Sequence, residues 1–492
     1  MTILIKVLQF FLSLSILIFI HELGHFLAAK AFKTRVEKFY LFFDWGFSLF
    51  RCKKVNGEWH FKFFAKNEPE RYTATEYRDA SGKKQTKYEP IDLNTLPEDD
   101  WRRSDSTEYG IGWFPLGGYN KIAGMIDESM DKSAMQQPAK EWEFRSKPAW
   151  QRFIIMIAGV TMNVLLAFII YIGLLTKEGE QYLPTKEVNK YGISVDSLAY
   201  EFGLRDGDKI LAVDGKFIEK FNDIPMQIIL EKAKTIEVER NGKDTLINLP
   251  EDAITKLLAK QDANFINYRF PFVVEHVMDN SAAQAGGLRN GDVIIGINDI
   301  ETPYYQDFTK YIKLFKNQDA EINVLRGTDT LALAMHISDE GMIGAYCRTY
   351  LPDYYEIETK DYTFWQAIPA GFSKTFDELG DYWKQVKLIF SPKTKAYESV
   401  GGFISIGKIF PDQWIWSIFW RMTAFLSIAL AVMNILPIPA LDGGHILFLL
   451  IEIITRRKPS DKFMEVAETV GLIIVLGLVI LANGNDIIRL FK

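Results

Sequence analysis

The sequence predicts a polytopic α-helical membrane protein of four transmembrane helices, with a membrane-associated β hairpin or sheet and two tandem extracytoplasmic α+β domains. Three observations carry that expectation. Long apolar runs punctuate a chain whose average hides them: of its 492 residues 48% are hydrophobic, yet the mean hydropathy is only -0.02. A stretch beginning at Ser197 recurs 84 residues later. Between the first two apolar runs, residues 107–125 interleave aromatic side chains with glycines.

Roughly 20 apolar residues at 1.5 Å rise cross a ~30 Å hydrocarbon layer. Four runs qualify: 3–32, 153–175, an interrupted run 415–454, and 470–482 with its shoulders. The first is too long for a signal peptide and ends in HELGHFLAAKAF, with no small-residue cleavage site. Expected boundaries are 1–34, 148–176, 415–455 (interrupted at NILPIPALDGG) and 463–485 for the four spans. Lys30, Lys33, Arg35 and Lys38 follow the first span, Lys147 and Arg152 precede the second, and Arg456, Arg457 and Lys458 separate the last two. The positive-inside rule makes these ends cytoplasmic, placing both termini and the segment 177–414 outside. Cys52 and Cys347 then lie on opposite sides of the membrane and cannot pair. No basic stripe supports a nucleic-acid partner, and the net charge of -6 is divided between compartments.

The cytoplasmic region 35–147 contains a charged, turn-rich insertion at 66–106, then TEYGIGWFPLGGYNKIAGM, read as a hairpin at the membrane surface. Beyond the second span, residues 197–216 and 281–300 align without gaps. Each copy carries a GL-x-x-GD turn, Gly203, Leu204, Gly207 and Asp208 in the first and Gly287, Leu288, Gly291 and Asp292 in the second, leading into an alternating strand. The turn and the duplication resemble a PDZ pair, assigned to 177–262 and 263–345. Residues 346–414 include FWQAIPAGFSKTFDELGDYWKQVKLIF, whose aromatic spacing suits a helix lying along the membrane surface, or one packed on the second copy.

Inside the first span, FIHELGHF puts His21 and His25 one turn apart on one helix face with Glu22 between them. Such imidazoles can share a zinc ion while the glutamate reaches a bound water. Ionisable groups within a span are costly and are kept for function by default. A catalytic zinc needs a third protein ligand. Asp442 is the candidate, beyond a helix interrupted by Pro437 and Pro439, and a metal would compensate its charge there. His445 follows one turn later and could support the site; His60, His276 and His336 read as ordinary residues of soluble regions.

HELGH in a first span, GLRDGD and GLRNGD outside, and N-x-x-P-x-P-x-L-D-G in a late span together resemble the site-2 protease family of intramembrane zinc metalloproteases, in its regulator of sigma-E protease branch. FPLGGY at 114–119, the pair Gly159 and Asn163, and Gly402-FISI agree with it. Val160 and Phe403 depart from it, each standing where the family carries proline. The resemblance implies zinc on His21, His25 and Asp442, Glu22 as general base and acid, and substrate contacts from Asn434, Pro437, Gly117 and Gly118. It further implies a bacterial inner-membrane protein in a stress response, with the active site near the cytoplasmic side. Its substrates would be single-span membrane proteins, anti-sigma factor stubs or remnant signal peptides, cut after a first-site protease, with membrane lipids as surroundings. Two other classes compete: a membrane-anchored PDZ receptor with an inactive core, which zinc content would separate, and a CAAX-type membrane zinc protease, which would want a glutamate as third ligand.

Overall fold

The computed structural model describes residues 2–67, 71–78, 84–115, 117–125, 138–260, 264–391 and 396–490. Leu116 of FPLGGY and parts of the 66–106 insertion lie outside these. The chain divides into two compact units: Met1–Glu178 with Tyr362–Trp383 and Val400–Lys492, and Gly179–Asp361 with Lys384–Ser399.

The first unit is built on helices α1 (Thr2–Ala31), α2 (Ala149–Glu178), α3 (Phe364–Ile389, its first part), α4 (Trp416–Ile435), α5 (Asp442–Thr455) and α6 (Asp461–Leu490). Of these α1, α2, α4 and α6 are long and apolar enough to cross a bilayer. The expected interruption is a true break. Proline disfavours helical geometry in the residue before it, and Leu436, before Pro437, is extended at ψ 141°. The chain leaves the helix there, and α5 restarts at Asp442 with 14 residues, too short to span. Helix α3 packs on α2, where the Phe372 ring stands edge-on to Phe168 at 6.1 Å.

Among the described residues seven strands lie between α1 and α2: β1 (Val36–Leu41), β2 (Phe43–Val55), β3 (Glu58–Lys66), β4 (Tyr72–Arg78), β5 (Lys84–Pro90), β6 (Glu108–Phe114) and β7 (Tyr119–Ile122). Strands β4 and β5 pair only with each other, and the remaining five form one sheet in the order β3-β2-β6-β1-β7. The expected hairpin at 107–125 is therefore corrected. Strands β6 and β7 do not pair; β1 lies between them, parallel to β6 and antiparallel to β7. The VEKFYL stretch satisfies its backbone groups on both edges this way, and β7 becomes an edge strand.

The sheet is two-faced. Phe50 pairs with Phe63 and Ile111, and Cys52 with Phe61, so the register gathers apolar side chains on one face. Trp59, Phe61 and Phe63 on that face are exposed. Arg51 and Lys53 point the other way and are buried, with Trp101 of the insertion 5.5 Å from the Arg51 guanidinium.

In the second unit the duplicated stretches form duplicated turns. Gly207 and Gly291 both take φ of +89°, a left-handed conformation that side chains with a Cβ rarely adopt. Gly203 and Gly287 are also left-handed, and Leu204 and Leu288 are buried. Asp208 Oδ2 accepts from Arg205 N at 2.8 Å and from the Arg240 guanidinium at 2.7 Å. Asp292 does the same with Arg289 N and Arg326 at 2.8 and 2.7 Å. Each copy encloses its own apolar core. The expected division at 262/263 shifts, because strand Ile266–Tyr268 pairs back onto Ile193–Val195, and Tyr355, Leu388 and Ala396 complete the first core.

Burial raises the Asp292 carboxyl's pKa, but the bonds from Arg326 and Arg289 N and the charges of both arginines together outweigh it and hold the group below its ordinary 3.8. Its contribution is therefore full above that value and is lost as pH falls through the depressed one. Asp292→Ala is expected to destabilise this unit by about 2 kcal/mol at neutral pH, since Arg326 and the Arg289 N–H lose an acceptor. Limited proteolysis of the full-length protein along a urea series measures the shift. Cys52 and Cys347 are both free thiols.

Candidate metal centre

Helices α1, α2, α4 and α5 bring the centre together. His21 and His25, four residues apart on α1, face the same way, and α5 presents Asp442 at its first position. His21 Nε2 lies 3.1 Å and His25 Nε2 3.3 Å from Asp442 Oδ2, and the two ring nitrogens are 3.2 Å apart. Three ligand atoms thus converge on one buried point. Asp442 Oδ2 has no hydrogen bond of ordinary geometry there. Converging lone pairs without protons between them fit a cation, and a two-imidazole, one-carboxylate set suits zinc.

The outer partners agree with that assignment. His25 Nδ1 donates to Ile155 O of α2 at 2.8 Å, which leaves Nε2 with its lone pair. His21 Nδ1 lies 3.1 Å from the Asn163 amide nitrogen, while Asn163 Oδ1 is buried without a partner. Turning this carboxamide over lets its oxygen accept from His21 Nδ1–H and satisfies both groups, again freeing Nε2. Between these partners α2 has Gly159. A Cβ there would sit 2.9 Å from His21 Nε2 and closer still to His25 Nε2, so only glycine lets α2 approach.

Glu22 is held from the sheet. Asn120 on β7 donates from Nδ2 to Glu22 O at 2.6 Å and to Glu22 Oε2 at 2.7 Å. Asn434, at the end of α4, places its amide nitrogen 3.3 Å from His21 Nε2. A cavity of about 340 Å³ opens on the centre, lined by the three ligand residues, Glu22, Asn434, Gly117, Gly118, Tyr119 and Asn120, and by His445, Glu468, Leu472 and Val475 on another side. His445 Nε2 is 2.9 Å from Glu468 Oε1 of α6.

All the sequence-predicted catalytic and metal residues therefore meet, with Asn434, Gly117 and Gly118 beside them. Pro437 is exposed and does not line the cavity; its visible part is to end α4. The turn residues at 203–208 and 287–292 belong to the other unit. Sequence reasoning missed Asn120 and Glu468. The first had no signal beyond its place after FPLGGY, whereas an acid within the last apolar helix could have been flagged as expensive. Asn120→Ala is expected to retain zinc and to slow any reaction in which the Glu22 carboxylate takes part by about 10- to 100-fold, because Glu22 loses the bond that aims it; metal analysis and an activity assay measure the two.

Four helices long and apolar enough to cross a bilayer, a sheet in the same unit, and a two-histidine, one-aspartate donor set next to a glutamate are the features of a membrane metallopeptidase. The chain belongs to Peptidase family M50, whose model matches residues 9–66 and 100–478, and it is a zinc metalloprotease of the site-2 type. Residues 67–99, which the model does not match, fall within the expected insertion. Protease RseP of Yersinia pestis is 27% identical over the whole of both chains. The regulator of sigma E protease of Haemophilus influenzae is 26% identical over 79% of this chain and 89% of its own. A Rickettsia conorii protein provisionally named a zinc metalloprotease is 25% identical over 99% of this chain and all of its own. This membership sets aside the CAAX-type alternative.

Proposed function

We propose that this protease cuts single-span membrane proteins within the bilayer, with zinc held by His21, His25 and Asp442 and with Glu22 as general base and acid. The observation that carries the reading is the convergence of those three ligand atoms, within 3.3 Å of one another, on helices that include ones long and apolar enough to cross a bilayer. Bound there, zinc polarises a carbonyl and makes water acidic near neutral pH. Glu22, aimed by Asn120, accepts the proton of the attacking water and returns it to the leaving amine. The Asn434 amide N–H donates to the oxygen on which charge develops.

A substrate helix has all its amides satisfied and must unwind before it is cut. Among the described residues β7 is the last strand of its sheet and runs past Glu22, and an extended substrate can add there as a further strand. The exposed aromatic face of β2, β3 and β6 suits contact with lipid, which would keep that edge at the membrane. The duplicated domains act in this reading as PDZ modules outside the cell membrane, screening substrates by the size of their external parts. That arrangement rests on the basic residues at the span ends, which set both termini outside and the centre toward the cytoplasm. By analogy with the relatives' names, anti-sigma factor stubs left by an earlier protease are the substrate class to test, in a bacterial inner membrane, with remnant signal peptides second.

Glu22→Gln tests the chemistry. It is expected to keep one zinc per chain while cleavage of a single-span reporter falls by roughly 10²- to 10⁴-fold, the range of a positioned acid-base group. Uncleaved substrates that accumulate around this variant in cells identify the physiological target. Turnover at the unmutated rate would remove Glu22 from the role.

A further inference from the structure

We propose that Glu468 and His445 form a subsite that selects substrates carrying a hydrogen-bond-donating side chain, an amide or a hydroxyl, next to the cleaved bond; this rests on the intramembrane protease reading above. Both residues line the cavity that opens on the metal centre. His445 follows Asp442 by three residues on α5, so it lies on the same helix face one turn away, about 5 Å along the axis. Glu468, Leu472 and Val475 recur at helical spacing on α6, and all three face the cavity.

A carboxylate on this wall is chemically out of place. Glu468 is buried, and the cavity-lining residues that follow it on this helix, Leu472 and Val475, are apolar. An ionisable group inside a span is costly, and the partner Glu468 Oε1 has at 2.9 Å is the His445 ring. A carboxylate offers about four lone-pair positions, more than one imidazole can occupy. Neither residue is needed to hold the ion or to aim Glu22. What the pair can do is accept a hydrogen bond from whatever fills the cavity. A substrate strand on the β7 edge repeats its side chains on one face every two residues, roughly 7 Å. One side chain close to the scissile position then comes within reach of Glu468. Glutamine or serine there supplies a donor, whereas leucine or methionine covers the carboxylate and leaves it short of one. Sites built around a polar partner reject analogues that lack it more sharply than apolar pockets reject a size change.

The test uses the full-length protein in lipid vesicles. Single-span reporters carry one glutamine, stepped a position at a time past the cleavage site, each against a reporter with the near-isosteric methionine. The unmutated enzyme is expected to favour glutamine at one register by about tenfold in kcat/KM, the order of one hydrogen bond to a charged group. In Glu468→Leu that preference is expected to fall below about twofold. Indifference of the unmutated enzyme at every register, or a preference that survives in Glu468→Leu, overturns the proposal. Should Glu468→Leu fail to accumulate, Glu468→Cys combined with Glu22→Gln is crosslinked to reporter cysteines. A disulfide confined to the favoured register supports the subsite, and none, or equal yields at all registers, refutes it. The methionine-only reporter reports on the parent reading separately: if the unmutated enzyme leaves it and the glutamine series intact, the reading that it cuts single-span proteins within the bilayer fails and the subsite with it.

Discussion

Asp442→Asn is expected to yield a folded, membrane-inserted protein that purifies without zinc and cleaves no reporter helix. Asparagine keeps the shape of the side chain but removes the charge and one lone-pair oxygen from a point where two imidazole nitrogens already stand 3.1 and 3.3 Å away. A divalent cation then faces two neutral imidazoles and a neutral amide in a site with little water to compensate. Removing an outer hydrogen-bond partner of a zinc ligand already lowers affinity by about 10- to 100-fold, and removing the ligand itself should exceed that. Elemental analysis of the purified full-length chain, with helix content by circular dichroism as the folding control, measures it. Stoichiometric zinc in Asp442→Asn would mean that the ion is held by other groups, and the proposed centre would be wrong.

Gly159→Ala is expected to do nearly as much damage with one added carbon. The new Cβ would fall within 2.9 Å of His21 Nε2 and nearer to His25 Nε2, inside any real contact distance. Either α2 moves away, which costs the Ile155 and Asn163 partners of the two rings, or the imidazoles turn off their shared point. Overpacking of this kind costs about 1–3 kcal/mol in an ordinary core, but here the displaced atoms are ligands. Zinc content and reporter cleavage should therefore fall together, by at least about 100-fold. Gly173→Ala in the same helix is the matched control. A Cβ there meets nothing within 4 Å, so no loss of zinc or activity is expected, and alanine is the better helix former. Equal behaviour of the two variants would show that the close approach of α2 does not matter.

The candidate residues of the first helix were legible because their signals are local. His21 and His25 share a face whenever HELGH is helical, and the apolar run around them makes it helical. The duplicated glycine and aspartate turns were legible for the same reason, since each closes on itself through a bond three residues long. The hairpin expectation failed because strand pairing is not local. Nothing in TEYGIGWFPLGGYNK says that Val36–Leu41 will slide between its two halves. Asn120 could be assigned no task until that insertion turned β7 toward Glu22.

The chain's own order of residues settled the donor types, the apolar helices that carry them, the break at Pro437 and the left-handed glycines of the paired turns, because periodicity and backbone sterics act over a few neighbours. Which donors converge, why α2 must bear glycine at 159, which strand edge passes the glutamate, and that an acid of the last helix meets His445 were decided only by packing. Those contacts join residues from 23 positions apart, Glu468 and His445, to more than 400, and only the folded chain, by excluding water and demanding a partner for each buried polar group, selects among them.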